Sequence, residues 1–261
     1  MGSVYENLDR PPLSARALQR ALAPDGWRVE VLATAGSTNE VVAGRARSGE
    51  PAGLVVVAEQ QTAGRGRLAR SWVSPPRAGL TLSVLLLPDL PAARWPWLPL
   101  WGGLAVVRAL REQAGIDAML KWPNDVLVGD RKVCGVLAEV PVPGALVLGI
   151  GLNVSTRVDE LPHAEATSLA LEQATTTDRD TLLRAVLRTL TAVLREQPVE
   201  HYRALCSTIG RQVRVELPDG RSAAGLAEAV DDGGRLVVGG EAYSVGDVVH
   251  VRAVPPRADP P

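Results

Sequence analysis

Four strand-like segments crowd into one stretch of this chain: Ala118–Trp122, Val126–Val128, Lys132–Val140 and Ala145–Val154. Only the short turns Pro123-Asn124-Asp125, Gly129-Asp130 and Pro141-Val142-Pro143-Gly144 separate them, so this part of the molecule is committed to a β-sheet. Three more strands precede it. Trp27–Thr34 alternates, and Gly53–Glu59 and Leu80–Leu87 are continuous apolar runs fit for buried strands. Helical spacing surrounds these strands. Ser37-Thr38-Asn39-Glu40 is a capping-box pattern with Ser37 as N-cap and Glu40 at N3, predicting a helix to about Arg47. Leu98–Ala114 reads as a helix ended by Gly115, Asp180–Glu196 is strongly periodic, and shorter helices are expected at Leu13–Leu22 and Val199–Leu205. The order is that of an α+β domain, a mixed β-sheet flanked by helices.

After Ile209-Gly210 the texture changes to short strands with turn signals between them: Gln212–Leu217, Ala223–Val230, Leu236–Val238, Ala242–Val245 and Val248–Val254. That pattern predicts a small all-β barrel. The expected organisation is an α+β domain over residues 1–207 with a loose lead-in, a barrel over 208–254, and a disordered tail over 255–261.

No apolar run approaches the ~20 residues of a membrane span. The start Met1-Gly2-Ser3-Val4-Tyr5-Glu6 has neither a signal peptide's basic and apolar regions nor the Ser or Thr of a myristoylation signal. A net charge of −1 provides no global field toward DNA or membrane. Cys134 and Cys206 cannot build a disulfide framework, so a reduced, cytoplasmic setting is expected, with both thiols buried as small hydrophobes. His163, His201 and His250 lack metal-ligand spacing, and no structural zinc is expected. Trp95, Trp97 and Trp101 read as packing residues.

One feature of composition bears on chemistry. Of 28 cationic residues only Lys121 and Lys132 are lysine, and the chain has no Phe. Coding bias explains most of the arginines. Two lysines kept so close together against that bias mark a place where a compact ammonium, and not a guanidinium fork, must meet an anion.

Both lysines fall among four constellations. The first is Gly64-Arg65-Gly66-Arg67-Leu68-Ala69-Arg70-Ser71-Trp72, preceded by Glu59-Gln60-Gln61. Its glycines allow close backbone approach, its arginines offer bidentate donors to phosphate or carboxylate, and Trp72 offers a flat face. It is neither a Walker A loop nor a dinucleotide fingerprint. Taken alone it also reads as a solvated loop or an RNA-binding segment. The second is Lys121-Trp122-Pro123-Asn124-Asp125, which alone reads equally as hairpin-turn chemistry. The third is Arg131–Glu139, where Gly135 leaves room beside Lys132. The fourth is Gly149-Ile150-Gly151-Leu152-Asn153, with glycines that weaken a strand unless something approaches closely.

Together with Ser37-Thr38-Asn39, these motifs resemble the biotin protein ligase family in order and approximate spacing, across about residues 35–170. The segment ending Val248-Val249-His250-Val251-Arg252 resembles that family's SH3-like C-terminal domain. The resemblance implies the biotin/lipoate ligase catalytic fold, related to class II aminoacyl-tRNA synthetases. It implies a two-step reaction in which biotin and ATP, with Mg²⁺, give biotinyl-5′-AMP and pyrophosphate. The biotinyl group then passes to a lysine of a biotin carboxyl carrier protein or domain of acetyl-CoA or a related acyl-CoA carboxylase.

The resemblance also assigns residues. Ser37, Thr38, Asn39 and Gln61 are expected at the ureido ring, with Gly64, Arg65, Gly66, Arg67, Lys132 and Gly135 completing the biotin site. The adenylate and its phosphates fall to Arg65, Arg67, Arg70, Trp72, Lys121, Asn124, Lys132 and Asn153. Lys132, Arg67 and Lys121 would act on the reacting anions, and Asp125 would accept or orient the incoming amine.

Two departures stand out. Ala69 occupies a position where the family usually has Gly. Only 36 residues precede Ser37, without a helix-turn-helix pattern, so a ligase without DNA binding, monomeric or weakly dimeric, is expected. Three readings compete. A lipoate ligase or octanoyl transferase would share the fold. An RNA-binding module would use the Arg/Gly loop and the barrel. A non-catalytic biotin sink would bind without chemistry.

Overall fold

A computed structural model of the chain describes residues 10–67, 70–244 and 247–250. Ala69, the end of the last barrel strand at 251–254, the tail at 255–261 and the first nine residues lie outside the described residues.

A seven-stranded sheet forms the larger body. Its strands are β1 (Arg28–Leu32), β2 (Leu54–Ala58), β3 (Gly79–Leu86), β4 (Ala118–Lys121), β5 (Asp125–Val128), β6 (Arg131–Val142) and β7 (Ala145–Asn153). They lie in the order β1-β2-β3-β7-β6-β5-β4. Only β1 and β2 are parallel, because α2 (Thr38–Arg47) connects them. The short turns seen in the sequence make the remaining neighbours antiparallel. The sheet is thus mixed, as expected.

Both faces are covered. Helix α2 lies over β2, β3, β6 and β7 and encloses a small core of Val42, Ala43, Ala46, Leu54, Val56, Leu85, Ala145 and Val147. On the other face α3 (Trp97–Ala114) crosses β4–β7, and α4 (Arg179–Glu196) packs on α3. Helix α1 (Ala15–Leu22) covers β1 and touches α4. Trp97 and Trp101 are fully buried and stack at 5.8 Å, with Tyr202 edge-on to Trp97, so these tryptophans serve packing.

The second body is an antiparallel five-stranded sheet of β8 (Gln212–Glu216), β9 (Ser222–Val230), β10 (Leu236–Val238), β11 (Glu241–Tyr243) and β12 (Asp247–His250). Its order is β11-β10-β9-β8-β12. After α5 (Val199–Leu205), the linker runs beside β4. Ser207 donates its N–H (2.7 Å) and its hydroxyl (2.8 Å) to Leu120 O, which covers an otherwise open sheet edge. The barrel's β9–β10 turn docks on two indoles: Trp97 Nε1 donates to Asp232 O at 2.8 Å and Trp122 Nε1 to Gly234 O at 3.0 Å.

Two local expectations are corrected. Ser37 is the N-cap of α2 by backbone conformation, but its hydroxyl makes no capping bond. Gln61 Oε1 accepts the Thr38 N–H instead, at 2.8 Å, so the cap comes from a loop distant in sequence. Pro141 and Val142 belong to β6 and not to the turn. Val142 pairs with Ala145, Pro143-Gly144 alone makes the reversal with Gly144 at φ +83°, and a register shift after Glu139 absorbs the proline's missing N–H.

Candidate active site

The cleft lies on the α2 side of the sheet, has a volume of about 510 Å³, and is floored by glycines. Gly135 of β6 pairs with Gly151 of β7, and Leu137 with Gly149. Each glycine's missing side chain is replaced by a site residue. A Cβ at Gly151 would stand 2.5 Å from Trp72 Cε2, and one at Gly149 would stand 2.2 Å from Asn39 Oδ1. At Gly135 it would meet Lys132 Cε and Nζ, both at 3.2 Å. The strand glycines therefore sit where three functional side chains press onto the backbone.

The inner end is polar. Ser37, Thr38 and Asn39 are buried at the start of α2. Thr38 Oγ1 donates to Gln61 Oε1 at 3.1 Å. Ser83 Oγ lies 2.7 Å from Thr38 Oγ1 and 2.6 Å from Asn39 Oδ1. Asn39 Nδ2 donates to Glu139 Oε2 at 2.6 Å, and Arg65 Nη2 sits 3.6 Å from the same oxygen. Ser83 and Glu139 thus hold the Asn39 carboxamide from both ends. Neither is assigned a role from the sequence, although Glu139 ends the Arg131–Glu139 motif and a hydroxyl inside the apolar run Leu80–Leu87 was an available signal.

The outer end is cationic. The backbone folds the Arg/Gly segment into a small hairpin: Trp72 N donates to Gly64 O at 2.9 Å and Gly66 N to Arg70 O at 2.6 Å. Gly64 does not line the cavity. A Cβ there would strike Trp72 O at 2.3 Å, so its role is to let the hairpin close. Trp72 lies over Gly151 and Gly135 with Lys132 Nζ 5.8 Å from its ring centroid, and its buried Nε1 has no hydrogen-bond partner among the described residues.

Lys132 Nζ stands 2.5 Å from Asp125 Oδ1. A register shift between Val126 and Leu127 lets Lys132 of β6 swing over Gly135 to reach that carboxylate. Arg67 Nη1 donates to Asn124 Oδ1 at 3.3 Å, and Asn124 Nδ2 donates to Val136 O at 3.1 Å. Burial lowers the Arg67 pKa, Asp125 opposes this, and Arg70 adds to it. Like charges held together in a half-buried cleft favour an incoming anion. Asn153 lines the cleft but spends its Nδ2 on Thr167 O at 2.9 Å.

Lys121 is placed differently. It is absent from the cavity wall and stands in the β4–β5 pair opposite Asp125. Burial lowers its pKa most, with Asp125 opposing and Lys132 adding to the effect. Ser37, Thr38, Asn39, Gln61, Arg65, Gly66, Arg67, Arg70, Trp72, Asn124, Asp125, Lys132, Gly135 and Asn153 all border one cavity, and Lys121 and Gly64 stand behind it.

Comparison with known proteins matches this geometry. Residues 31–155 match the Biotin/lipoate A/B protein ligase family, and residues 208–251 match the Biotin protein ligase C terminal domain. The chain is 43% identical to a biotin–[acetyl-CoA-carboxylase] ligase of Mycobacterium tuberculosis, over 93% of this chain and 97% of that protein. The chain belongs to the biotin protein ligase family. Its fold superposes with a TM-score of 0.72 on the biotin protein ligase of Aquifex aeolicus solved with biotin and ATP, at 29% identity over 86% of this chain and 99% of that one. The biotin protein ligase of Leishmania major, solved with biotinyl-5-AMP, aligns at 0.61 and 28% identity over 86% and 98%. The SH3-like character expected of the C-terminal strands agrees with the antiparallel five-stranded sheet.

Proposed function

We propose that the chain activates biotin with ATP to biotinyl-5′-AMP, releases pyrophosphate, and transfers biotin to a lysine of a carboxylase's biotin carrier domain. One observation carries the reading: a single cleft joins a closed polar end to a cationic outer end across a floor of glycines. The polar end suits the ureido ring, whose N–H and C=O groups need partners when buried. The cationic end suits a carboxylate that must approach the α-phosphorus of a polyanion.

In the first step a biotin carboxylate oxygen bonds to the α-phosphorus, and the bond to the pyrophosphate oxygen breaks. Lys132, with Arg65 and Arg67, neutralises the anions that must meet. Its ion pair with Asp125 holds the ammonium in place until a substrate oxygen takes it over. In the second step the carrier's amine bonds to the acyl carbon and AMP leaves. Asp125, released from Lys132, accepts or orients the amine proton. Mg²⁺ entering with ATP would supply further neutralisation of the phosphate charge. Among the described residues no three His, Cys, Asp or Glu gather to cage a metal.

Lys121, off the cavity wall beside Asp125, adds to the positive field that draws the triphosphate without touching it, and Trp72 covers the adenylate. In this reading the chain works as a monomer or weak homodimer, and no step involves DNA. No helix among the described residues is long and apolar enough to cross a membrane. We place the reaction in the cytoplasm and the domain division near residues 207–208.

The test is ATP–pyrophosphate exchange. It is expected with biotin and absent with lipoate or octanoate. Exchange driven by lipoate alone would move the function to that acyl group. Gly149→Ala probes the polar end. Its Cβ would stand 2.2 Å from Asn39 Oδ1 and push the carboxamide off Ser83 and Glu139. Losing buried hydrogen bonds of ~1–3 kcal/mol predicts a biotin Kd weaker by about 5- to 150-fold, read by calorimetry, with ATP affinity little changed.

A further inference from the structure

The turn that carries Asn124 and leads into Asp125 at the start of β5 begins at Trp122, and the barrel and its linker hold Trp122 twice. Its indole N–H donates to Gly234 O at 3.0 Å, and its backbone N–H donates to Thr208 Oγ1 at 3.1 Å. Thr208 is fully buried in the linker, and its hydroxyl lies 3.2 Å from His250 Nε2 on β12. The other ring nitrogen, Nδ1, lies 3.3 Å from Arg211 Nη1. A guanidinium only donates, so Nδ1 accepts and the ring hydrogen sits on Nε2, pointing at Thr208. Thr208 Oγ1 then accepts from both His250 and Trp122 with its two lone pairs.

We infer that His250 is a positioning residue for the proposed adenylation: through Thr208 it fixes the start of the Trp122–Asp125 turn, so the barrel sets the place of Asn124 and Asp125. The inference deepens the ligase reading and rests on it for its kinetic consequence. The geometry requires a neutral ring, since a proton on Nδ1 would face Arg211. The surroundings enforce it. Lys121 from β4 and Arg211 just before β8 face the ring, and Asp130 in the β5–β6 turn is the acidic group that opposes them. Burial first, then those two cations, pull the His250 pKa down to about 4. The folded pKa lies below the ordinary ~6.5, so the tie is at full strength above that value and is lost as pH falls toward 4.

The experiment compares wild type, His250→Leu and His250→Gln as full chains. Glutamine can donate to Thr208 and accept from Arg211 with one carboxamide; leucine can do neither. In biotin-dependent ATP–pyrophosphate exchange, His250→Leu is expected to lower kcat about tenfold with little change in KM for biotin, the size of one misplaced positioning contact. His250→Gln is expected to recover most of it. Amide hydrogen exchange, which needs no activity, should show faster exchange at Trp122 in the leucine variant and near-native protection in the glutamine variant. The thermal stability of wild type should fall relative to His250→Gln between pH 6.5 and 4. A folded leucine variant with native kcat, or a glutamine variant no better than leucine, would overturn the inference. Absent exchange in wild type would instead strike the ligase reading. The Trp122 protection pattern would then still decide the tie.

Discussion

Lys132→Ala is expected to reduce biotin-dependent ATP–pyrophosphate exchange by about 10²–10³-fold, the loss typical when one preorganised electrostatic partner of a reacting anion is removed. The reasoning begins with what surrounds the ammonium. Nζ sits 2.5 Å from Asp125 and 5.8 Å from the Trp72 ring centroid, and its stem lies against Gly135. Alanine removes the one lysine on the cavity wall and leaves the Asp125 carboxylate facing the substrate anions without its partner. Arginine should not rescue. A planar fork cannot occupy the narrow path over Gly135 that a tetrahedral ammonium follows, and the arginines at the outer end already supply bidentate donors. The measurement is isotope exchange at saturating biotin and ATP on folded protein. Native exchange in Lys132→Ala would move the catalytic cation elsewhere, and Arg67 would be the next to test.

The site was legible in the sequence wherever a residue type is costly to keep for packing alone. Two lysines among arginines, glycines inside strands and a polar Ser-Thr-Asn helix start each conflict with a local preference, and the cleft accounts for most of these conflicts. Lys121 shows the limit of that reasoning: it is one of the two lysines, yet it stands behind Asp125 and off the cavity wall. The supporting contacts were less legible: Gln61 was expected at the site and Glu139 ends one of its motifs, but what each would hold was not readable. Gln61 caps α2, Ser83 and Glu139 clamp Asn39, and Thr208 caps Trp122. Each is a polar residue of ordinary type whose importance comes from a neighbour far along the chain. Among the described residues periodicity predicted the strands and helices to within one or two residues, because it is a local signal. It carries no information on which distant hydroxyl faces which amide.

Arg179→Met is expected to cost about 3–5 kcal/mol, because it leaves a buried carboxylate without its cation. Arg179 opens α4, where a positive charge opposes the helix dipole, so its place needs another explanation. Its Nη1 donates to Glu59 Oε2 at 2.7 Å and to Gly79 O at 3.3 Å, and its Nη2 donates to Pro11 O at 2.6 Å. Glu59 Oε1 accepts the Leu13 N–H at 2.6 Å, and Arg77 N donates to Glu59 O at 2.8 Å. Both side chains are nearly inaccessible. The cluster therefore pins residues 59 and 79, the two ends of the segment that carries Gln61, the arginines and Trp72. Urea unfolding of Arg179→Met, Glu59→Met and the double variant would test this. The double variant should be much less destabilised than the sum of the singles, since removing both partners leaves no buried lone charge. The same loosening should reach the site. Folded Arg179→Met is expected to show a raised KM for ATP, because the base of the Arg/Gly hairpin is no longer held. Additive unfolding energies, or an unchanged KM, would show that the ion pair neither matters as a pair nor positions the loop.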